Sequence, residues 1–129
     1  MSTSAASRRA LILFAHGSRD PEWAAPFRAV QRRVAAKKPE LSVELAFLEI
    51  MKPSLPEAVD RLAAPGSMHV TVAPLFMAQG AHLKRDLAAL LEKVNERHPA
   101  VELALLPALG EVDELTQAIA AWLLVACDE

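Results

Sequence analysis

The chain alternates four times between a short apolar run and a longer segment with helical spacing. Residues 10–15 are continuously apolar, as in a strand covered on both faces. Four strands and four helices are predicted, with strands at 10–15, 42–48, 69–76 and 101–106, and helices at 21–37, 55–63, 81–97 and 112–126. Short loops between strand and helix favour right-handed crossovers. We therefore predict an α/β fold: a single three-layer domain with a four-stranded, mostly parallel sheet and helices on both faces.

Two of the predicted helices have clear start signals. Asp20 before Pro21 is typical of an N-cap followed by proline at the first helical position. Ser54 and Glu57 have the spacing of a capping box, in which each side chain bonds the backbone N–H of the other residue. We therefore expect helices to begin after Asp20 and after Ser54.

The last predicted helix differs from the others because its apolar residues are not confined to one stripe. Residues 118–126, with the sequence AIAAWLLVA, are apolar on all sides, which predicts burial on two sides. A four-stranded sheet has little room to cover two faces of a terminal helix. We therefore expect a second copy of the chain to cover the second face, in a homodimer.

Length and composition predict one soluble domain in the cytoplasm. We assign residues 1–9, MSTSAASRR, to a disordered N-terminal tail and residues 10–129 to the domain. The net charge of -2 suggests neither nucleic acid nor an anionic membrane as a partner. No apolar run approaches the roughly 20 residues of a membrane span, and the first one is too short for a signal peptide. The single cysteine, Cys127, fits a reducing compartment.

Three residues with metal and acid–base chemistry follow predicted strands. They are His16 in LILFAHGSRD, Glu49 in SVELAFLEI and His82 in VTVAPLFMAQGAHLKRD. The carboxyl ends of parallel strands meet at one edge of a sheet, so we expect these side chains to share a crevice. Glu49 ends an apolar strand and should lie near buried surface. Two imidazoles and a carboxylate suit a divalent transition metal and proton removal.

The neighbours of the two histidines are suited to an anionic ligand. Ser18 and Arg19 follow His16 in the same loop, and Lys84 and Arg85 follow His82. A hydroxyl and guanidinium or ammonium groups can bind carboxylates. These residues are therefore candidates for substrate binding.

Position along the predicted elements separates the four histidines into two pairs. His82 lies two residues after Gly80 at a predicted helix start, where backbone N–H groups favour the neutral, metal-binding imidazole. His69 and His98 lie at the opposite ends of their elements, and we interpret both as structural or solvated. The sequence has no G-x-G-x-x-G, Walker A or G-x-S-x-G motif and no tyrosine. It thus lacks the usual dinucleotide, phosphate-loop, hydrolase and base-stacking signatures.

Three segments together resemble a known family. They are AHGSRD, FLEI-x-x-P at Phe47 to Pro53, and APLFMAQGAHLKRD at Ala73 to Asp86. In order and spacing they resemble the small form of the class II tetrapyrrole chelatases, the CbiX/SirB group, which inserts cobalt or iron into sirohydrochlorin. The resemblance implies a parallel α/β chelatase domain and, for a short member, a homodimer.

The resemblance also implies an activity and a set of roles. The chain would be a lyase-class chelatase that inserts Co²⁺, or else Fe²⁺ or Ni²⁺, into sirohydrochlorin in cobalamin or siroheme biosynthesis. The metal would be a substrate, and no cofactor would be permanently bound. The family's metal-handling histidines and glutamate correspond to His16, His82 and Glu49. For removal of the two pyrrole protons we expect His16 to be the principal base, with Glu49 taking a proton or orienting a histidine. Our candidates for substrate binding are Ser18, Arg19, Lys52, Met77, Gly80, Lys84 and Arg85.

Two other interpretations use the same residues. A non-catalytic carrier of metal or tetrapyrrole would need the ligands but no proton removal. A phosphotransfer enzyme of the histidine-phosphatase type also places His-Gly after its first strand. Such enzymes need an arginine just ahead of that histidine, where this chain has Ala15.

Overall fold

Four parallel strands and four α-helices alternate along the part of the chain that the computed structural model describes, residues 7–63 and 67–128. The elements are β1 (Ser7–Ala15), α1 (Ala25–Lys37), β2 (Ser42–Phe47), α2 (Leu55–Leu62), β3 (Ser67–Pro74), α3 (Ala81–Arg97), β4 (Val101–Leu105) and α4 (Asp113–Ala126). Short 3-10 turns at Pro21–Ala24 and Leu109–Glu111 precede α1 and α4. The predicted alternation is confirmed, with shifts of a few residues at element ends.

The sheet has the strand order β2-β1-β3-β4, and each neighbouring pair is parallel. The predicted α/β class is therefore confirmed. The chain leaves β1 in one direction to form β2 and returns across it to form β3. The loops that follow β1 and β3 diverge at this point, which is where open α/β sheets form a ligand crevice.

The first strand begins earlier than predicted. Ser7, Arg8 and Arg9, which we assigned to the N-terminal tail, pair with β3 in the register Ser7↔Ser67 and Arg8↔Met68. Strand pairing satisfies backbone N–H and C=O groups whatever the side chain, so polar residues do not prevent it. Residues 1–6 of the predicted tail lie outside the described residues.

Both faces of the sheet carry a hydrophobic core. Successive side chains of β1 alternate, so that Ile12 and Phe14 belong to the cluster beneath α2 and α3. Leu13 and Ala15 belong to the cluster on the side of α1, where Trp23 packs against it. This double burial explains the continuous apolar run at 10–15.

The predicted helix starts are confirmed by cap geometry. The Asp20 carboxylate accepts a hydrogen bond from the Glu22 N–H at 3.0 Å, and Ser54 and Glu57 form both bonds of the capping box. The Ser54 backbone N–H lowers the pKa of Glu57. After Asp20 the chain first forms the 3-10 turn, and α1 begins only at Ala25, with Pro26 in its first turn.

Helix α4 is not buried within a single chain. None of its residues is buried, and Trp122 and Leu124 are 69% and 71% exposed. The predicted burial on two sides is therefore not provided by the chain itself. No helix among the described residues is long and apolar enough to cross a membrane.

Candidate functional site

The three predicted site residues lie in loops at the carboxyl edge of the sheet. His16 follows β1 directly, Glu49 follows β2, and His82 lies in the first turn of α3, after β3. All three are exposed. Glu49 was expected beside a buried crevice rather than in solvent, and this expectation is wrong for the single chain, where Glu49 is exposed.

The loops after β1 and β2 are bonded together through their backbones. The Leu48 N–H donates to the Ala15 carbonyl at 2.8 Å, and the Glu49 N–H donates to the His16 carbonyl at 3.0 Å. Gly17 has a φ of +101°, and a Cβ added there would lie 1.9 Å from the Glu49 carbonyl oxygen. Only glycine fits this close approach, which holds His16 and Glu49 in adjacent positions.

A strained turn follows Glu49. The Met51 N–H donates to the Glu49 carbonyl at 2.7 Å, and the residue between them, Ile50, has a φ of +71°. This is the rarer form of the γ-turn, and positive φ is unfavourable for a β-branched residue. Such strain concentrates at functional sites. Ile50 is 59% exposed, and its sequence carries no signal of this conformation.

The loop between β3 and α3 contacts His16 through Phe76. The two rings have centroids 4.5 Å apart and are tilted by 45°. Phe76 is buried, packs edge-on against Phe14, and therefore belongs to the core. Its neighbour Met77 is 57% exposed. The segment that leads to His82 is thus anchored beside His16.

His82 has a cationic neighbour. Its Nδ1 lies 3.3 Å from a guanidinium nitrogen of Arg85. Because a guanidinium can only donate, Nδ1 accepts this hydrogen bond, and the proton of the neutral ring lies on Nε2. A metal ion that binds the neutral ring of His82 therefore breaks the bond from Arg85, because an ion at Nδ1 displaces the guanidinium and an ion at Nε2 requires the ring proton to move to Nδ1.

The described residues do not form a closed metal site in one chain. Within 7–63 and 67–128, no three His, Cys, Asp or Glu side chains form a group that could hold a metal ion. The assignment of His16, Glu49 and His82 as metal ligands accordingly stays a prediction. Cys127 directly follows α4 and is an exposed free thiol, and it does not belong to the predicted ligand set.

The predicted substrate-binding residues lie in the same loops but differ in their contacts. The Ser18 hydroxyl accepts from the Asp20 N–H at 3.1 Å, and Lys84 Nζ lies 3.2 Å from the Glu111 carboxylate. Arg19 and Lys52 are exposed. Gly80 precedes α3, and a Cβ added there would meet no atom within 4 Å, so space alone does not require glycine.

Comparison with known proteins relates the chain to one family. The family model for CbiX matches residues 10–124. A sirohydrochlorin cobaltochelatase from Saccharolobus islandicus is 36% identical over 112 residues, which cover 78% of this chain and 81% of that protein. Another, from Methanococcus aeolicus, is 32% identical over 90 residues, covering 69% and 63% of the two chains.

Solved structures share the fold. A crystal structure described as a CbiX protein of cobalamin biosynthesis from Marinobacter aquaeolei superposes with a TM-score of 0.78 at 29% identity, covering 93% of this chain and 95% of that one. The sirohydrochlorin chelatase SirB from Bacillus subtilis subspecies spizizenii, in complex with cobalt, gives a TM-score of 0.74 at 23% identity. That match covers 88% of this chain but 49% of the SirB chain.

Proposed function

The chain belongs to the CbiX family, and on that premise we propose that it is a lyase-class chelatase that inserts Co²⁺ into sirohydrochlorin in cobalamin biosynthesis. The names of its relatives from Saccharolobus and Methanococcus favour this metal and substrate. Fe²⁺, for siroheme, and Ni²⁺ are the alternatives, because imidazole ligands suit all three ions.

The observation that carries the proposal is the junction of three loops at the switch point of the sheet. Backbone hydrogen bonds join the loops that bear His16 and Glu49, and Phe76 holds the segment before His82 against His16. We propose that the two imidazoles and the carboxylate on these loops face the crevice where open α/β sheets bind their ligands.

Metal insertion requires the divalent ion to replace two protons on pyrrole nitrogens. In our proposal the neutral rings of His16 and His82 bind the ion and deliver it to the macrocycle. As the ion passes to the pyrrole nitrogens, the ring nitrogen of His16 that it leaves accepts one proton. Glu49 accepts the other or, if it orients a histidine instead, that proton passes to the ring nitrogen that the ion leaves on His82. The macrocycle nitrogens supply the other ligands. The ion is a substrate in this proposal and leaves with the product, whereas a carrier would keep it bound.

The rim of this edge suits a flat macrocycle with many carboxylates. Arg19, Lys52 and Arg85 are exposed cations in the loops around it and are proposed to bind carboxylates. The exposed side chains of Met77 and Ile50 are proposed to pack against the macrocycle face. Ser18 and Gly80 lie in the loops that would enclose the macrocycle edge.

We further propose that the protein acts as a homodimer in the cytoplasm, with α4 at the interface. The exposed apolar residues Trp122, Leu123, Leu124 and Val125 follow one another on this helix, and a patch of this kind marks an association surface. Trp122→Glu should convert the dimer to a monomer in analytical ultracentrifugation, whereas Gln117→Glu on the same helix should not. A wild-type monomer would contradict the proposal.

Anaerobic mixing with metal-free sirohydrochlorin tests the reaction itself. Co²⁺, Fe²⁺ and Ni²⁺ are offered in turn, with the tetrapyrrole in large excess over protein, and absorbance follows the metallated product. A chelatase produces many equivalents of product per protein, while a carrier yields no more than one. Rates equal to the protein-free mixture with all three metals would refute the proposal.

A further inference from the structure

We propose that Glu111 is a positioning residue that sets the place of His82, by tying the 3-10 turn it ends to the first turns of α3. The inference rests on the proposed role of His82. Glu111 ends the 3-10 turn Leu109–Glu111, between β4 and α4, and no motif in the sequence draws attention to it.

The carboxylate of Glu111 joins two parts of the site frame. One oxygen accepts from the Ala108 N–H at 2.9 Å, and the other accepts from Lys84 Nζ at 3.2 Å. Ala108 adjoins the 3-10 turn, and Lys84 lies two residues after His82 in α3. The carboxylate therefore ties the turn to the helix that carries the histidine.

The backbone of the same turn is bonded to the same loop. The Leu109 N–H donates to the Phe76 carbonyl at 2.9 Å, and the Gly110 N–H donates to the Met77 carbonyl at 2.8 Å. A Cβ on Gly110 would lie 2.3 Å from that Met77 oxygen, so the close approach requires glycine. The turn therefore holds the loop from Phe76 onward, and Glu111 extends this hold into α3.

The carboxylate of Glu111 is kept in its charged form. The N–H of Ala108, and then the ammonium of Lys84, lower the pKa of Glu111. Glu111 therefore remains an acceptor for both donors at neutral pH.

This arrangement changes the role of Lys84. We predicted from the sequence that Lys84 binds substrate, but its ammonium group lies against Glu111. Lys84 is thereby assigned to the frame around His82. Arg85, on the other side of the first turn of α3, is the cation of this pair that is proposed to meet the macrocycle.

The test compares Glu111→Gln with Glu114→Gln, the same chemical change at an exposed position of α4. The glutamine at 111 keeps the shape but presents an NH₂ group to one of the two donors, Lys84 Nζ or the Ala108 N–H. We expect kcat for Co²⁺ insertion to fall about tenfold, the lower end of the effect of removing an outer support of a metal ligand, with KM for sirohydrochlorin little changed. The ring resonances of His82, identified by their loss in His82→Ala, should shift in NMR spectra.

The Glu114→Gln variant should match the wild type in both measurements. Unmoved His82 resonances in Glu111→Gln would overturn the inference, even if the melting temperature or kcat fell, because Glu111 would then act on stability or by another route. Moved resonances with an unchanged kcat would overturn it as well. If the wild-type protein has no chelatase activity, the proposed function fails, while the NMR comparison still decides whether Glu111 positions His82.

Discussion

The histidines have different partners at the two edges of the sheet, the amino edge where the strands begin and the carboxyl edge where they end. At the amino edge each histidine is paired with a carboxylate: His69 Nδ1 lies 2.9 Å from Glu102, and His98 Nε2 lies 2.7 Å from Asp60. In each pair the carboxylate occupies one ring nitrogen. The two contacts join β3 to β4 and α2 to the end of α3, which fits a structural role for both histidines.

At the carboxyl edge the histidines have no such partner. The ring of His16 packs against Phe76, and His82 meets the guanidinium of Arg85. Along 7–63 and 67–128, no hydrogen bond or ion pair links either ring to a carboxylate. A neutral ring with an available nitrogen is the form that binds metal. The comparison shows that the partner, and not the residue type, distinguishes the two pairs.

The largest effect is expected from exchanging a histidine at each edge for alanine. His82→Ala should reduce metal insertion to the rate without enzyme, because a proposed ligand is lost, and should leave the circular dichroism spectrum unchanged. His98→Ala should keep its activity and lower the melting temperature by a few degrees, since it loses the bond to Asp60. Full activity in His82→Ala would show that the histidines of the two edges do not differ in function.

A smaller loss is expected from removing one carboxylate at the site. Glu49→Gln keeps the size of the side chain but cannot accept a proton, so the insertion rate should fall about 10²-fold, the low end for a general base. Glu102→Gln makes the same change at the amino edge and should leave the rate unaltered. Equal rates for Glu49→Gln and the wild type would remove Glu49 from the mechanism.

The fold could be predicted from the sequence because its signals are local and repeated. The apolar run at 10–15, the cap at Asp20 and the capping box at Ser54 each act within a few residues, and parallel strands with helical crossovers leave few topologies. The two edges follow from the strand directions. This is why the sequence alone could separate His69 and His98 from the candidate ligands His16 and His82.

The site was less predictable because its geometry depends on contacts between distant segments. The turn at Ile50 is held by backbone hydrogen bonds from Met51 to Glu49 and from Glu49 to His16. A β-branched residue gives no reason to expect the positive φ found there. Glu111 lies far along the chain from Lys84, and only the fold brings their side chains to 3.2 Å. The exposure of α4 likewise reflects a surface that the single chain does not cover.

A moderate effect on substrate binding is expected from the arginine near His82. Arg85→Met removes a cation proposed to bind a carboxylate, so KM for sirohydrochlorin should rise about two- to fivefold, since an exposed ion pair contributes at most about 1 kcal/mol. Arg97→Met, at the other end of α3, loses its pair with Asp60 and should leave KM unchanged. If both variants had the same KM, Arg85 would have no part in binding.

The smallest effect concerns the amino edge and its response to acid. The hydrogen bond from His98, and then the charge of Arg97, hold the pKa of Asp60 below its ordinary value of 3.8. The carboxylate therefore stabilises the fold fully above pH 3.8, and this contribution is lost as the pH falls through the lowered pKa. Asp60→Asn should melt below the wild type at neutral pH, and the difference should shrink as the pH drops below 3.8. Asp86→Asn, an exposed position in α3, should show no such convergence. A difference for Asp60→Asn that stayed constant with pH would mean that the ion pairs of the amino edge do not stabilise the fold, and the contrast between the two edges would then rest on the site histidines alone.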